Sequence, residues 1–240
     1  MTQAGPGERI EVYRAARAAV LGRIAAACQR VGRDPAAVTL VAVSKTVDAA
    51  LLRDAVAAGL DLLAENRVQE AAAKAPFVPG ARWHLVGPLQ ANKVRRALEL
   101  FEAVQSVDSV GLAERIDRLA REVRPGAGYP ILLQVNVDDD PAKAGFAPAA
   151  LDAAIARISE LDALEVRGLM TIGRLVTEPD AARPTFHRLR ELSAALRDAG
   201  ALIGPELSMG MTDDFEVAVE EGATIVRVGR ALFGERQPRE

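Results

Sequence analysis

Only four lysines stand against twenty-six arginines in this 240-residue chain, and one of them, Lys45, closes the apolar run 38–44. A primary amine can condense with a carbonyl to form an imine, which a guanidinium cannot, and burial moves it towards the free nucleophilic form. The competing reading is a lysine that snorkels its charge out of a strand end. A second group stands in Thr224-Ile225-Val226-Arg227-Val228-Gly229, where alternation puts Ile225, Arg227 and Gly229 on one face and the two valines on the other. A buried guanidinium needs an acceptor. The choices are a structural carboxylate, such as Glu65 or Glu206, or a ligand's anion or heterocyclic nitrogen. The third group is Ser208-Met209-Gly210-Met211-Thr212, ahead of a helix entered through Asp213. Its hydroxyls and backbone N–H groups can simply cap that helix; paired with Val228-Gly229-Arg230 on the next strand, they are expected to form a phosphate pocket of the kind found after the last two strands of barrel folds. Asn66 can bind a ligand or cap a helix, and His84 can be a satisfied core histidine or line a pocket. The two histidines and the single Cys28 have no metal-ligand spacing, so no metal is predicted, and no serine has a histidine at triad spacing.

Positioning these groups requires alternating strands and helices. Strands are predicted near 38–45, 61–66, 82–87, 101–107, 131–137, 164–172, 206–211 and 224–229. Helices are predicted over 48–58, 90–98, 109–123, 148–160, 181–199 and 213–220. An additional N-terminal helix is expected over 8–31, after a disordered 1–7. Eight strand–helix repeats without a composition break predict a single domain, 1–240, folded as a (β/α)8 TIM barrel. A doubly wound sheet is the alternative, but no glycine-rich dinucleotide fingerprint follows the first strand. Three of the four lysines, Lys45, Lys93 and Lys143, then fall on the loops where barrel chemistry occurs, whereas Lys74 is expected in solvent near a helix end. The net charge of −3 and pI near 5.6 argue against nucleic acid or an anionic membrane as a partner. With no signal segment, no apolar run of membrane-spanning length and no disulfide, the expected location is the cytoplasm.

Six blocks along the chain resemble the pyridoxal phosphate homeostasis proteins, which have the alanine-racemase N-terminal type of barrel. They are Val41-Ala42-Val43-Ser44-Lys45-Thr46, Glu65-Asn66-Arg67-Val68-Gln69-Glu70, the run 83–93, Arg167-Gly168-Leu169-Met170-Thr171-Ile172, the run 208–214 and the run 226–234. The resemblance covers about residues 8 to 236. It implies pyridoxal 5'-phosphate as cofactor, bound as a Schiff base on Lys45, with Arg227 facing the pyridine nitrogen. It further implies Ser208, Thr212, Gly229 and Arg230 around the phosphate within the Met209-Gly210 loop, and Asn66 and His84 beside the ring. Three positions depart from the family pattern: Ala64 replaces a glycine, Thr212 replaces the commoner serine, and Ala144 replaces the serine of a Lys-Ser-Gly loop.

The same residues bear on catalysis. An arginine at the ring nitrogen keeps it unprotonated and weakens the electron sink. The second acid of alanine racemases is a tyrosine from an additional domain, and Tyr13 and Tyr129 are both misplaced for that role. The expectation is a non-catalytic carrier in intracellular vitamin B6 homeostasis, a monomer that holds pyridoxal phosphate and releases it to apo-enzymes. The alternatives are a weak amino-acid racemase and a cofactor-free Schiff-base aldolase.

Overall fold

In the computed structural model, which describes residues 5–126, 128–173 and 176–234, eight parallel strands close into a barrel in chain order. They are β1 (Thr39–Val43), β2 (Leu62–Glu65), β3 (Arg82–Leu85), β4 (Ala103–Val107), β5 (Tyr129–Gln134), β6 (Leu164–Met170), β7 (Glu206–Ser208) and β8 (Ile225–Val228). The ring closes where β1 pairs β8, with Val41 opposite Arg227. Outside it lie α2 (Ala49–Ala57), α3 (Val68–Lys74), α4 (Val94–Leu100), α5 (Val110–Val123), α6 (Leu151–Ile158), α7 (Arg183–Asp198), α8 (Phe215–Glu220) and α9 (Arg230–Phe233).

The two-residue period of the strands sorts the apolar side chains into two layers. Val41, Leu62, Ala64, Val86, Leu132, Met170 and Ile225 form a separate cluster inside the barrel. The larger cluster fills the space between sheet and helices and includes Val226 and Val228, both fully buried. The predicted alternation of β8, with Ile225 inward and the valines towards the helices, is thus observed.

An N-terminal helix, α1 (Pro6–Arg30), precedes the barrel. Pro6 sits in its first turn, where its missing N–H has no partner to lose. The helix therefore begins two residues before the predicted 8–31, and Pro6 and Gly7 do not belong to a disordered leader; residues 1–4 lie outside the described residues. Tyr13, Val20, Ile24, Ala27 and Cys28 form its buried stripe, which packs on α2, α8 and α9. There Arg23 lies over the Phe215 ring at 4.4 Å and Tyr13 meets Phe233 edge-on at 5.8 Å. The helix seals the seam between the last and first strand–helix units.

Each predicted strand is present, with altered ends. β7 stops at Ser208, short of the predicted 211, because Gly210 turns the chain with φ +88°. β5 begins two residues early, at Tyr129, whose buried hydroxyl donates to Phe101 O at 2.9 Å. Helix α3 ends at Lys74, the helix end near which that residue was expected, although no range was predicted for it. Among the described residues no helix is long and apolar enough to cross a membrane, and no group of three or more His, Cys, Asp or Glu could hold a metal ion.

Candidate functional site

The carboxyl ends of the strands gather the chemistry-bearing residues. Lys45 follows β1 by two positions, on the strand parity of Val41 and Val43, both of which touch the interior cluster. It is half-buried, in a turn closed by Val47 N–H donating to Ser44 O at 3.0 Å. The next residue, Thr46, adopts φ +68°, a left-handed conformation uncommon for a β-branched residue.

Across the barrel, Arg227 is buried on β8 with 4% of its surface exposed. Its Nη1 donates to Ser208 Oγ at 2.6 Å and its Nη2 to Thr171 O at 2.8 Å. Ser208 in turn donates to Gln105 Oε1 at 2.6 Å, and Gln105 Nε2 lies 2.8 Å from His84 Nδ1. An amide NH2 can only donate, so this contact requires the His84 tautomer with its proton on Nε2. One hydrogen-bonded chain thus joins β8, β7, β4 and β3 through the barrel interior, and Thr171 Oγ1 anchors the far side by donating to Val135 O at 2.8 Å. Among the described residues no carboxylate forms an ion pair with Arg227, so of the two readings open from the sequence the structural pairing with Glu65 or Glu206 is not the one observed. Burial pulls the Arg227 pKa down to about 10, opposed by the field of Asp214. Burial, with Arg82 and Arg167 nearby, lowers His84 to about 4, so it is neutral at physiological pH.

The loops after β7 and β8 differ in detail from the predicted phosphate pocket. The Ser208 hydroxyl is fully buried and engaged within the interior chain, below the loop, because β7 ends there. Met209 points into the layer between sheet and helices, and its N–H bonds Ile225 O. Gly210 packs so tightly that an added Cβ would lie 2.5 Å from Ala218 Cβ. Thr212 and Gly229 remain half-exposed at the barrel mouth. Arg230 is exposed and its guanidinium bonds Asp213, tying the two loops together. With that cation already paired, Thr212 and the backbone of the 229–230 turn are the better anion donors.

Asn66 stands one residue past β2, half-buried, with its backbone pressed against Gly87: a Cβ on Gly87 would lie 2.3 Å from Asn66 O. Lys93 ends a short 3-10 turn before α4, and Lys143 lies in the β5–α6 loop with Nζ 3.7 Å from Asp140. Lys74 corrects the sequence reading most sharply. It is not solvated: only 14% of its side chain is exposed, and Nζ lies 2.7 Å from Glu65 Oε1 and 3.0 Å from Ser44 O. Its partner Glu65 lies nine residues away, across the β2–α3 loop, a separation without helical or strand periodicity. Gln105 was also missed, although β4 alternation placed this amide at an inward position.

A barrel of this topology with a strand-one lysine and a strand-eight arginine defines a class, and residues 18–237 match the family model for the alanine racemase N-terminal domain. Within that class, the chain is 46% identical to the pyridoxal phosphate homeostasis protein of Pseudomonas aeruginosa over 91% of this chain and 94% of the relative. Its namesake in Aquifex aeolicus is 40% identical over 91% and 96%. The crystallised PipY of Synechococcus elongatus, with PLP bound, superposes with a TM-score of 0.77 at 43% identity, covering 90% of this chain and 100% of that one. The chain belongs to the pyridoxal phosphate homeostasis protein family.

Proposed function

We propose that this chain, as one domain, holds pyridoxal 5'-phosphate as a Schiff base on Lys45 and releases it to apo-enzymes, serving vitamin B6 homeostasis without catalysing turnover. The observation that carries the reading is Arg227: a buried cation on the interior face of β8, whose hydrogen bonds to Ser208 Oγ and Thr171 O both go to neutral acceptors. The residues at the barrel mouth fit the group. When bound, pyridoxal phosphate supplies an aldehyde and an electron sink whose strength depends on protonation of its ring nitrogen. Lys45 provides the nucleophilic amine at the rim. Arg227 can only donate, so it holds a ring nitrogen in the unprotonated state. The chain through Ser208, Gln105 and His84 fixes the guanidinium in place, and Asn66 borders the ring side. Thr212 and the backbone of Gly229 and Arg230 would hold the phosphate, Gly210 permits the loop's turn, and Met209 and Ser208 would support the loop from behind.

A guanidinium at the ring nitrogen favours storage over carbanion chemistry, which supports a carrier rather than a racemase. We place its action in the cytoplasm, as a monomer, with no helix among the described residues long and apolar enough to cross a membrane. Titration with pyridoxal phosphate is expected to give a long-wavelength imine absorbance that Lys45→Ala abolishes, while amino acids exchange no α-proton in deuterated water. Sustained α-proton exchange at constant cofactor would instead support the racemase reading.

A further inference from the structure

We propose that the buried Glu65–Lys74 pair is a positioning device for Lys45, clamping the turn that presents its amine; the inference rests on the role assigned to Lys45 above. Glu65 is fully buried, and its Oε1 accepts from Lys74 Nζ and from Ser44 Oγ, both at 2.7 Å. Lys74 also donates to Ser44 O at 3.0 Å, the carbonyl immediately before Lys45 and the one that closes the turn with Val47. The Ser44 N–H donates to Ala64 O at 2.9 Å as well, so the ends of β1 and β2 are joined twice. Lys45 follows one of these ends and Asn66 the other.

Three features distinguish the pair from an ordinary stabilising contact. Buried ion pairs replaced by apolar groups of similar volume often leave stability unchanged or improved, so stability alone does not explain this one. Glu65 Oε2 is buried without a hydrogen-bond partner among the described residues, a cost borne beside the Lys45 turn. Thr46 is held at φ +68° directly after Lys45, and such a conformation persists only where surrounding contacts over-determine it. Lys74 supplies one of those contacts from behind the sheet, on the side away from the ligand. It is a positioning residue and touches no reacting atom.

The test is trace acylation of the apoprotein with acetic anhydride across pH 7–11, quantifying Lys45 and, in the same sample, Lys93 as reference. Glu65→Gln/Lys74→Met removes both charges together and leaves no buried ion unpaired. In this folded variant, Lys45 reactivity is expected to change on the order of tenfold, with Lys93 unchanged. Lys74→Gln, one atom shorter and uncharged and so unable to span to both Ser44 O and Glu65, serves if the double variant does not fold, and shifts Lys45 in the same direction. Unchanged Lys45 reactivity in a folded variant, or equal changes at Lys45 and Lys93, would overturn the proposal. Failure of the cofactor assignment shows separately, as absence of a pyridoxyl adduct on Lys45 in the reduced wild-type protein.

Discussion

Two cations withdrawn from solvent, Lys74 beside the ends of β1 and β2 and Arg227 on β8, are compensated in opposite ways. Lys74, in the layer between sheet and helices, has a carboxylate at 2.7 Å. Arg227, inside the barrel, donates to a serine hydroxyl and a backbone carbonyl and forms no ion pair among the described residues. The outer layer is permanently closed over its charge, so neutrality must be built in. The inner face opens at the barrel mouth, where a ligand can complete what the protein leaves incomplete. A cation compensated by a built-in carboxylate holds the framework; one left with neutral acceptors is ready for a guest.

The sharpest way to break this comparison is to remove each cation alone. Lys74→Met leaves Glu65 buried and unpaired, and a loss of about 3–5 kcal/mol is expected in urea unfolding. Recovery of most of that loss by adding Glu65→Gln would confirm that charge, not packing, is responsible. The neutrality of the Arg227 chain is tested by pH. His84 titrates at about 4 in the folded state and near 6.5 unfolded, so its contribution is complete above pH 6.5 and is lost as pH falls towards 4. Up to about 3 kcal/mol is at stake in that window. It is read as the difference between the stability profiles of wild type and His84→Gln, because buried Glu65 and Asp214, raised by desolvation, act with the opposite sign.

Arg227→Leu should weaken pyridoxal phosphate binding by about 1.5–3 kcal/mol, the range for hydrogen bonds from a charged donor, in an equilibrium titration. Unfolding stability should fall little or rise, the reverse of the Lys74 result. The smallest expected effect is that of Gln105→Leu, which leaves Ser208 and His84 without their shared partner. It should cost about 1–3 kcal/mol of stability and weaken binding through a less fixed guanidinium.

Most of the frame was legible because apolar runs and helix stops are local signals. The order of eight strands and the inward face of β8 both followed from spacing within a few residues. The strand ends were not legible, because where a strand stops depends on neighbours: β7 has only three residues once Gly210 turns away. The partners of the site were the least visible part. Gln105 interrupts the apolar residues of β4, and this buried polar residue is what links His84 to Ser208. Lys74 follows Glu65 by nine residues in sequence, and only the return of α3 onto the sheet brings its amine to the β1 end. Ser208 was placed in the phosphate loop from its motif alone, whereas the early end of β7 leaves it in the interior chain.

The most direct test is borohydride reduction of the protein with pyridoxal phosphate, followed by peptide mapping of the modified lysine. A single pyridoxyl adduct on Lys45 is expected. Adducts on Lys93 or Lys143 instead, or no adduct, would contradict the assignment of the strand-one lysine and with it the central claim.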